Sequence, residues 1–333
     1  MKKRSLFAII LSASLLLGGC ANTPKSNDSE NQDGSAATSY PEKSVQFIIP
    51  YAAGGGTDTL CRLLASSMEK SWGESFLIAN KPGGLSQVGL TELSGADPDG
   101  YTIGALSNLD HILVLFTGEN VSYDYESFDY LGAINTTANV LMASKDSGFT
   151  DLQQMIDYAK EHPGELTVAV SGKTHVAEVS LFEQAAGIQL TTVMQDGGGD
   201  SLNAIMGGHV DCAVLDKNYV AQVEGQGINT LATFAGEAIP TIPDIPTMKS
   251  LGYDVSTETY RVIVAPAGTP KEIEDAITQK IQEVSSAEEF QESMANMGEI
   301  YRFLDQDQVK QRLDQDYEMI QQLLEENPDA LNR

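Results

Sequence analysis

Apolar residues along the chain form two alternating patterns, short continuous runs and longer runs with helical spacing. The stretch 45–49 is short and mostly apolar, as expected of a buried strand. Leu60, Leu64 and Met68 then recur at helical spacing up to Gly73, where a helix is expected to end. This alternation of strand and helix predicts an α/β fold, in which helices cover the faces of parallel sheets.

The same alternation continues along most of the chain. The predicted strands lie at 76–78, 101–106, 166–170 and 210–215, with another ending at Val193, and the predicted helices lie at 152–160, 176–186 and 202–206. Two long amphipathic stretches follow near the C-terminus and are expected to be helices that pack on the sheet. Thr269 is expected to cap the first of them, with Pro270 at the first helical position and Glu272 completing a capping box.

Length and charge narrow the functional class. The chain has 333 residues, which is enough for two domains of ordinary size. It carries 20 lysines and arginines against 47 acidic residues, so its formal net charge is −27. A protein of that charge lacks the basic surface that nucleic acids require, and no nucleic-acid partner is expected.

The N-terminal part of the chain has a pattern of its own. Cationic residues at 2–4 precede an apolar stretch at 6–17 that is too short to span a bilayer. The sequence Leu-Gly-Gly-Cys that follows resembles a bacterial lipobox, which implies a signal peptide over 1–19, cleavage before Cys20 and a lipid on its sulfur. Loss of the three cations makes the net charge −30. Residues 20–39 are polar and lack an apolar period, so they are expected to form a lipidated tether.

The sequence YAAGGGTDTL at 51–60 connects the first predicted strand to the first predicted helix. Ligands bind at this position in open α/β sheets. Three consecutive glycines leave backbone N–H groups free to approach a ligand at the positive end of the helix dipole. Thr57 or Asp58 is expected to be the N-cap, and Asp58 is interpreted as ordering the loop. The loop lacks both the Walker and the dinucleotide glycine patterns, which disfavours a nucleotide.

Two further loops have the same design. SGKTH at 171–175 follows one predicted strand and opens a helix, and DGGGD at 196–200 again precedes a short helix. Three strand-to-helix loops rich in glycine, serine or threonine suit a cleft where carboxylate oxygens accept main-chain hydrogen bonds. The negative net charge does not exclude this, because salt screens long-range repulsion and the local amides decide binding.

Seven stretches, taken together and in this order, resemble one protein family. They are YPEKSVQFIIPYAAGGGTDTLCRLLA, NKPGG, ADPDGYTIG, HPGELTVAVSG, GGGDSLNAIMGGHVD, IPDIPTMKSLGYD and VIVAPAGTP. Over about residues 40–325 the chain is similar to the Bug-type solute receptors, the extracytoplasmic binding proteins of tripartite tricarboxylate transporters. The resemblance implies a two-domain, periplasmic-binding-protein-like Venus flytrap, with a ligand cleft between the domains and two crossover strands.

The resemblance also implies a division of the chain. The crossover strands are expected near 139–144 and 258–264. Domain one would then comprise residues 40–144 plus 260–333, and domain two residues 145–259. The protein is expected to be an extracytoplasmic monomer, anchored to the cell membrane by the lipid on Cys20.

The family's mode of binding implies which residues hold the ligand. Members resemble one another in gripping a carboxylate with the loop after the first strand and completing the grip with a loop of the other domain. Carried onto this chain, the ligand-binding residues are Tyr51, Ala53, Gly54, Gly55, Gly56, Thr57, Asp58, Ser107, Ser171, Gly172, Thr174, His175, Gly197 and Gly198. The implied partners are a small di- or tricarboxylate or related organic acid and the permease subunits of the transporter. Gln195 and Asp196 depart from the basic or aromatic pair of many relatives, and an acid there disfavours a second carboxylate nearby.

Other functions remain open from the residues. A receptor that reports to a membrane sensor needs the same liganded form as a receptor that serves a permease. Ser107, Asp110 and His111 contain the residue types of a hydrolytic triad, although no Gly-x-Ser-x-Gly elbow occurs. An enzyme is therefore the less favoured interpretation.

No cofactor or metal is expected, because the histidines lack metal-ligand spacing. Cys61 lies on the apolar stripe of a predicted helix and Cys212 in a predicted strand. Both are interpreted as small buried hydrophobic residues rather than as a disulfide.

Overall fold

The computed structural model describes residues 40–332, and strands and helices alternate through most of this range. The N-terminal elements are β1 (Val45–Ile49), α1 (Gly56–Trp72), β2 (Phe76–Asn80), α2 (Gln87–Ser94), β3 (Thr102–Ser107), α3 (Asn108–Thr117) and β4 (Phe128–Ala143). The signal peptide, Cys20 and the tether lie outside the described residues. Among those described, no helix is both long and apolar enough to cross a membrane.

The central part of the chain continues the alternation, and the C-terminal part is mostly helical. The central elements are α4 (Leu152–Glu161), β5 (Thr167–Val170), α5 (Lys173–Ala186), β6 (Thr191–Met194), α6 (Gly198–Met206), β7 (Cys212–Asp216) and β8 (Asn229–Thr233). The C-terminal elements are β9 (Glu258–Thr259), β10 (Arg261–Pro266), α7 (Lys271–Ser285), α8 (Glu288–Asn296), β11 (Ile300–Leu304) and α9 (Gln306–Glu326). Short 3₁₀ turns lie at Tyr125–Ser127, Lys217–Tyr219 and Lys249–Leu251.

The strands form two half-sheets that share β4. The order along the main path is β2-β1-β3-β10-β4-β7-β5-β6. The first part of β4 pairs with β10 and β11, and its last part pairs with β7 and β8. Within each half-sheet the strands that precede helices run parallel, as the pattern of apolar residues predicts.

Two strands pass between the half-sheets. β4 is 16 residues long and crosses from one half-sheet to the other. At its middle, Thr137 and Ala138 pair with Thr259 and Glu258 of β9, and β10 then continues into the first half-sheet. The two crossover strands of the expected flytrap arrangement are therefore β4 and the β9–β10 segment. The exact limits of the two domains stay a prediction.

Helices cover both half-sheets with apolar side chains. Leu60 and Leu64 of α1 and Ile277 of α7 pack with Phe47 and Ile263 on one face of the first half-sheet. A separate cluster around α6 covers part of the second half-sheet. Burial of apolar area on this scale is the main favourable contribution to folding.

The two cysteines in the described range are buried and free. Cys61 packs in the cluster beneath α1, and Cys212 packs in the core that includes β7. Burial raises the pKa of the Cys61 thiol to about 12. The prediction that both act as small hydrophobic residues is confirmed.

Two predicted helix caps are wrong. Helix α1 begins at Gly56 with Gly55 as its N-cap, and neither Thr57 nor Asp58 caps it, because both lie inside the first turn. Helix α7 begins at Lys271 after an N-cap at Pro270 that makes no side-chain hydrogen bond. Thr269 is not a cap because its hydroxyl donates to the carbonyl of Pro266 at 2.8 Å, a nearer acceptor that closes the turn before the helix.

Candidate functional site

The carboxyl ends of β1, β3, β5 and β6 each lead into a helix, and the predicted loops lie at these ends. β1 pairs in parallel with β3 in the first half-sheet, and β5 pairs in parallel with β6 and β7 in the second. Parallel neighbours bring their carboxyl ends to one edge of a sheet. We call the region where these loops meet the cleft.

The glycines of the first loop have different roles. Gly54 has a φ of +82°, a conformation that a residue with a side chain rarely adopts. Gly55 and Gly56 have ordinary backbone angles and lie exposed, with open space or only ordinary contact where a side chain would begin. The first N–H groups of α1 have no acceptor within the helix, so an anion can approach them at this open surface.

Asp58 is buried and holds the first loop in place. Its carboxylate accepts hydrogen bonds from the N–H of Gly54 at 2.8 Å and from Asn80 Nδ2 at 2.8 Å. It also forms an ion pair with Arg62 at 2.9 Å. Burial alone would raise the pKa of Asp58, but the hydrogen bonds and charge of these partners outweigh it and lower the pKa. Its carboxylate is thus engaged inside the loop, in keeping with the interpretation that Asp58 orders it.

Tyr51 connects the first loop to the end of β3. Its hydroxyl accepts a hydrogen bond from the N–H of Ser107 at 3.0 Å and donates to Asp110 Oδ2 at 3.3 Å. Burial and the charge of Asp110 raise the pKa of Tyr51 well above its usual value, so its phenol remains a donor at neutral pH. The predicted residues Tyr51 and Ser107 therefore lie together.

Asp110 joins the loops of the two half-sheets. Its Oδ1 atom accepts a hydrogen bond from Thr174 Oγ1 of the β5–α5 loop at 3.0 Å, while Oδ2 accepts from Tyr51. Two of the predicted ligand-binding residues, Tyr51 and Thr174, thus contact one carboxylate, and a third, Ser107, is linked to it through the Tyr51 hydroxyl. The sequence indicated Asp110 only as part of a possible triad.

The β5–α5 loop is held by its own histidine. Gly172 has a φ of +84° and is the N-cap of α5. His175 Nδ1 accepts a hydrogen bond from the N–H of Ser171 at 3.1 Å, which places the ring proton on Nε2. Burial lowers the pKa of His175 to about 4, so the ring is neutral at physiological pH and orders Ser171 without adding a charge.

The β6–α6 loop is tied to the second half-sheet. Gly197 is the N-cap of α6. A side chain at Gly198 would begin 2.9 Å from the hydroxyl of Tyr219, so the Tyr219 ring would have to shift to admit one. In the described part of the chain, the hydrogen bonds that connect the half-sheets in the cleft involve the β5–α5 loop rather than Gly197 and Gly198.

Arg261 is a cleft residue that the sequence reasoning missed. It is the first residue of β10 and pairs in register with Ser107. Its Nε atom donates to Thr57 Oγ1 at 3.2 Å, and its Nη1 atom is buried with no hydrogen-bond partner among the described residues. The available signal was a cation in the middle of the predicted crossover segment 258–264.

The residues of the possible triad do not form a relay. His111 lies fully buried among the rings of Tyr123, Tyr125, Phe128 and Tyr130. Burial lowers the pKa of His111 to about 4. Its Nε2 atom lies 3.4 Å from the Tyr130 hydroxyl, whereas Asp110 is engaged by Tyr51 and Thr174. Within residues 40–332 there is also no cluster of three or more side chains suited to a metal ion.

Comparison by sequence identifies similar proteins. A family model described as "Tripartite tricarboxylate transporter family receptor" matches residues 60–327. The "UPF0065 protein in gbd 5'region" of Cupriavidus necator is 27% identical over 262 residues, which cover 78% of this chain and 80% of that protein.

Comparison with solved structures identifies the same fold. A TctC solute-binding protein from Polaromonas, crystallised without ligand, superposes with a TM-score of 0.78 at 21% identity, covering 86% of this chain and 99% of that one. MatC from Rhodopseudomonas palustris, solved with bound malate, gives a TM-score of 0.69 at 23% identity and covers 86% of this chain and 100% of its own. The chain therefore has the two-domain Venus flytrap fold of periplasmic solute-binding proteins.

Proposed function

Because the chain belongs to the receptor family of tripartite tricarboxylate transporters and is thus an extracytoplasmic solute-binding receptor, we propose that it holds a small carboxylate in the cleft and delivers it to permease subunits. The ligand would lie against the exposed residues 52–55 of the first loop and the first turn of α1, with the β5–α5 loop closing on it. Binding requires no catalytic group and no cofactor.

One observation carries this proposal. Asp110 accepts hydrogen bonds from Tyr51 of the first loop and from Thr174 of the β5–α5 loop, so the loops that the sequence singled out meet at one place. Around that place the first N–H groups of α1 and the Arg261 guanidinium offer donors to an anion. The malate bound to the similar MatC supports a small dicarboxylate as the ligand class.

The finer parts of the proposal concern the whole protein. A lipid on Cys20 would keep the receptor at the outer surface of the cell membrane, with residues 20–39 as its tether. Cys20→Ser should then yield a protein that is not acylated and no longer partitions with membranes. A variant that still fractionates with the membrane and carries lipid would contradict the anchor. We further propose that the receptor acts as a monomer.

The binding function is tested by identifying the ligand. Native mass spectrometry of the protein as purified is expected to reveal a bound organic acid, and calorimetry with that acid should give a dissociation constant in the micromolar range or below, on the order of −8 kcal/mol. Gly55→Val places a branched side chain at the exposed N-cap and should abolish binding, whereas Gly95→Ala, at the exposed end of α2 where a side chain meets only ordinary contacts, should not. Conversion of the acid into a new product would instead indicate an enzyme.

A further inference from the structure

We propose that the cleft selects a ligand bearing both a carboxylate and an ammonium group, as an amino acid does, with Arg261 receiving the carboxylate and Asp110 the ammonium. This inference rests on the proposed function and narrows its ligand class. It follows from the placement of Asp110 and Arg261, an acid and a base that are not paired with each other, where the loops of the two half-sheets meet.

Asp110 is the acidic partner. Its two oxygens each accept one hydrogen bond from a neutral hydroxyl, at 3.0 Å from Thr174 and at 3.3 Å from Tyr51. A carboxylate oxygen can accept two hydrogen bonds, so each keeps a free lone pair. In the described part of the chain no cation forms an ion pair with Asp110, although it is largely enclosed. An ammonium group would supply the charge-assisted hydrogen bonds that are missing.

A purely anionic ligand fits this acid poorly. A ligand carboxylate placed close to Asp110 and the Asp110 carboxylate would repel each other. One of the two would have to take up a proton for the ligand to bind. Burial already raises the pKa of Asp110, while Thr174, the charge of Arg261 and Tyr51 oppose the rise. A second ligand carboxylate beside Asp110 would therefore weaken binding, whereas an ammonium group at the same position would strengthen it.

Arg261 is the basic partner. A guanidinium has five N–H donors and remains charged in proteins, so a buried Nη1 without an acceptor is unfavourable. Nε already donates to Thr57 and Nη1 is buried without a partner, while the backbone of Arg261 pairs with Ser107 at the end of β3. A ligand carboxylate accepting from Nη1 would remove this deficit, and the amides of the adjacent first turn of α1 would share the charge.

The two groups are close enough to influence each other but are not paired. Arg261 pairs in register with Ser107, and the N–H of Ser107 donates to the Tyr51 hydroxyl that contacts Asp110. No direct ion pair joins Arg261 and Asp110 among residues 40–332. Because they are not paired with each other, Arg261 can contact the carboxylate of a zwitterion and Asp110 its ammonium group. Asp58, which the sequence placed in the same site, cannot have this role, because Arg62 and Asn80 already occupy its carboxylate.

The test compares ligands that differ only in the amino group. Calorimetry on the full-length protein in detergent would use L-aspartate against succinate, L-glutamate against glutarate and L-alanine against propionate, together with N-acetyl-L-aspartate, in which the ammonium charge is removed. In at least one pair the amino acid should bind about tenfold tighter or more than its partner, a difference of about 1.4 kcal/mol. N-acetylation should abolish that advantage.

The variants assign the preference to residues. Asp110→Asn should remove the preference for the amino acid, so that the ratio of the two dissociation constants within a pair falls to about one. Arg261→Met should weaken both members of a pair by a similar factor. Asp157→Asn, on the exposed face of α4, serves as the control and should change neither. The comparison of ligands on the unaltered protein holds even if a variant fails to fold.

The outcomes separate the two proposals. If the amine-free acid binds as tightly as the amino acid in every pair that binds, or if Asp110→Asn folds and keeps the preference, this inference is overturned and carboxylate binding stands. If native mass spectrometry finds no organic acid and no carboxylate binds, the proposed function fails as well.

Discussion

Single side chains decide whether the first loop keeps its shape. Asp58 is the clearest case, because one buried carboxylate accepts from the N–H of Gly54, from Asn80 and from Arg62. Hydrogen bonds to a charged acceptor are stronger than those between neutral groups. The loop is therefore ordered from within the chain, before any ligand arrives.

Replacing Asp58 with asparagine should destabilise the protein at neutral pH. Asparagine has one acceptor oxygen in place of two, so at least one of the three donors loses its partner, at a cost of roughly 1–3 kcal/mol. The pKa of Asp58 is lowered in the folded protein, so its contribution is present above about pH 4 and lost as pH falls through the folded pKa. Thermal melts of Asp58→Asn and wild type should differ at pH 7, and the difference should shrink as the pH falls through the lowered pKa of Asp58 in the folded protein. Asp97→Asn, which alters an exposed carboxylate, is the control, and equal melting temperatures of Asp58→Asn and wild type at pH 7 would contradict the prediction.

Among helices and strands, α5 has a special position because it touches both crossover strands. Glu178 of α5 is fully buried. Asn139 of β4 donates to both of its oxygens, at 2.8 and 3.0 Å, and Thr257, just before β9, donates at 2.9 Å. Burial raises the pKa of Glu178 to about 8, although Asn139 and Thr257 oppose the rise. The carboxyl group is therefore largely protonated at neutral pH where α5 meets the crossovers.

This buried acid should make the protein less stable in mild alkali. The unfolded state releases the proton of Glu178 at its ordinary pKa and the folded state only near pH 8, so the stabilisation is complete below about pH 4.5 and decreases as pH rises through 8. Glu178→Gln cannot ionise and should gain on wild type by roughly 2–4 kcal/mol between pH 5 and 9, at about 1.4 kcal/mol per pKa unit. Urea unfolding across this pH range measures the difference. Glu161→Gln, at the exposed end of α4, should show no such trend. A difference in unfolding free energy between Glu178→Gln and wild type that does not change with pH would contradict the prediction.

The sequence predicted those strands and helices that are marked by the spacing of their own apolar residues. β1, α1, β3, β5, α5 and β7 all follow the predicted alternation. The first part of β4 was missed because Asn135, Thr136 and Thr137 interrupt its apolar pattern. Asn135 is nevertheless fully buried, since it donates to Glu299 and accepts from the N–H of Arg261. Partners so distant in the chain leave no periodic signal, and for the same reason Arg261 was not recognised in the cleft.

At the scale of the whole molecule, the cleft lies in a strongly negative protein. The formal charge of the chain is −27 and becomes −30 if the signal peptide is removed. Such a field slows the approach of an anion over distances up to the Debye length, whereas the donors within the cleft act only at contact. Long-range repulsion therefore affects the rate of association, while Arg261 and the amides of α1 affect how long the ligand stays.

Salt should accordingly change the association rate according to the net charge of the ligand. Between 10 and 150 mM salt the Debye length falls from about 30 Å to about 8 Å, so a divalent anion such as succinate should associate faster as repulsion is screened. A neutral zwitterion such as alanine should associate at a nearly constant rate, because it carries no net charge for the field to repel. Stopped-flow measurements at several salt concentrations, with sucrose controlling for viscosity, provide the rates for whichever acids bind. An anion whose association slows with salt would mean that cations at the loops, such as Arg261 and Lys173, dominate the field at the entrance to the cleft. The acidic surface would then have no part in ligand capture.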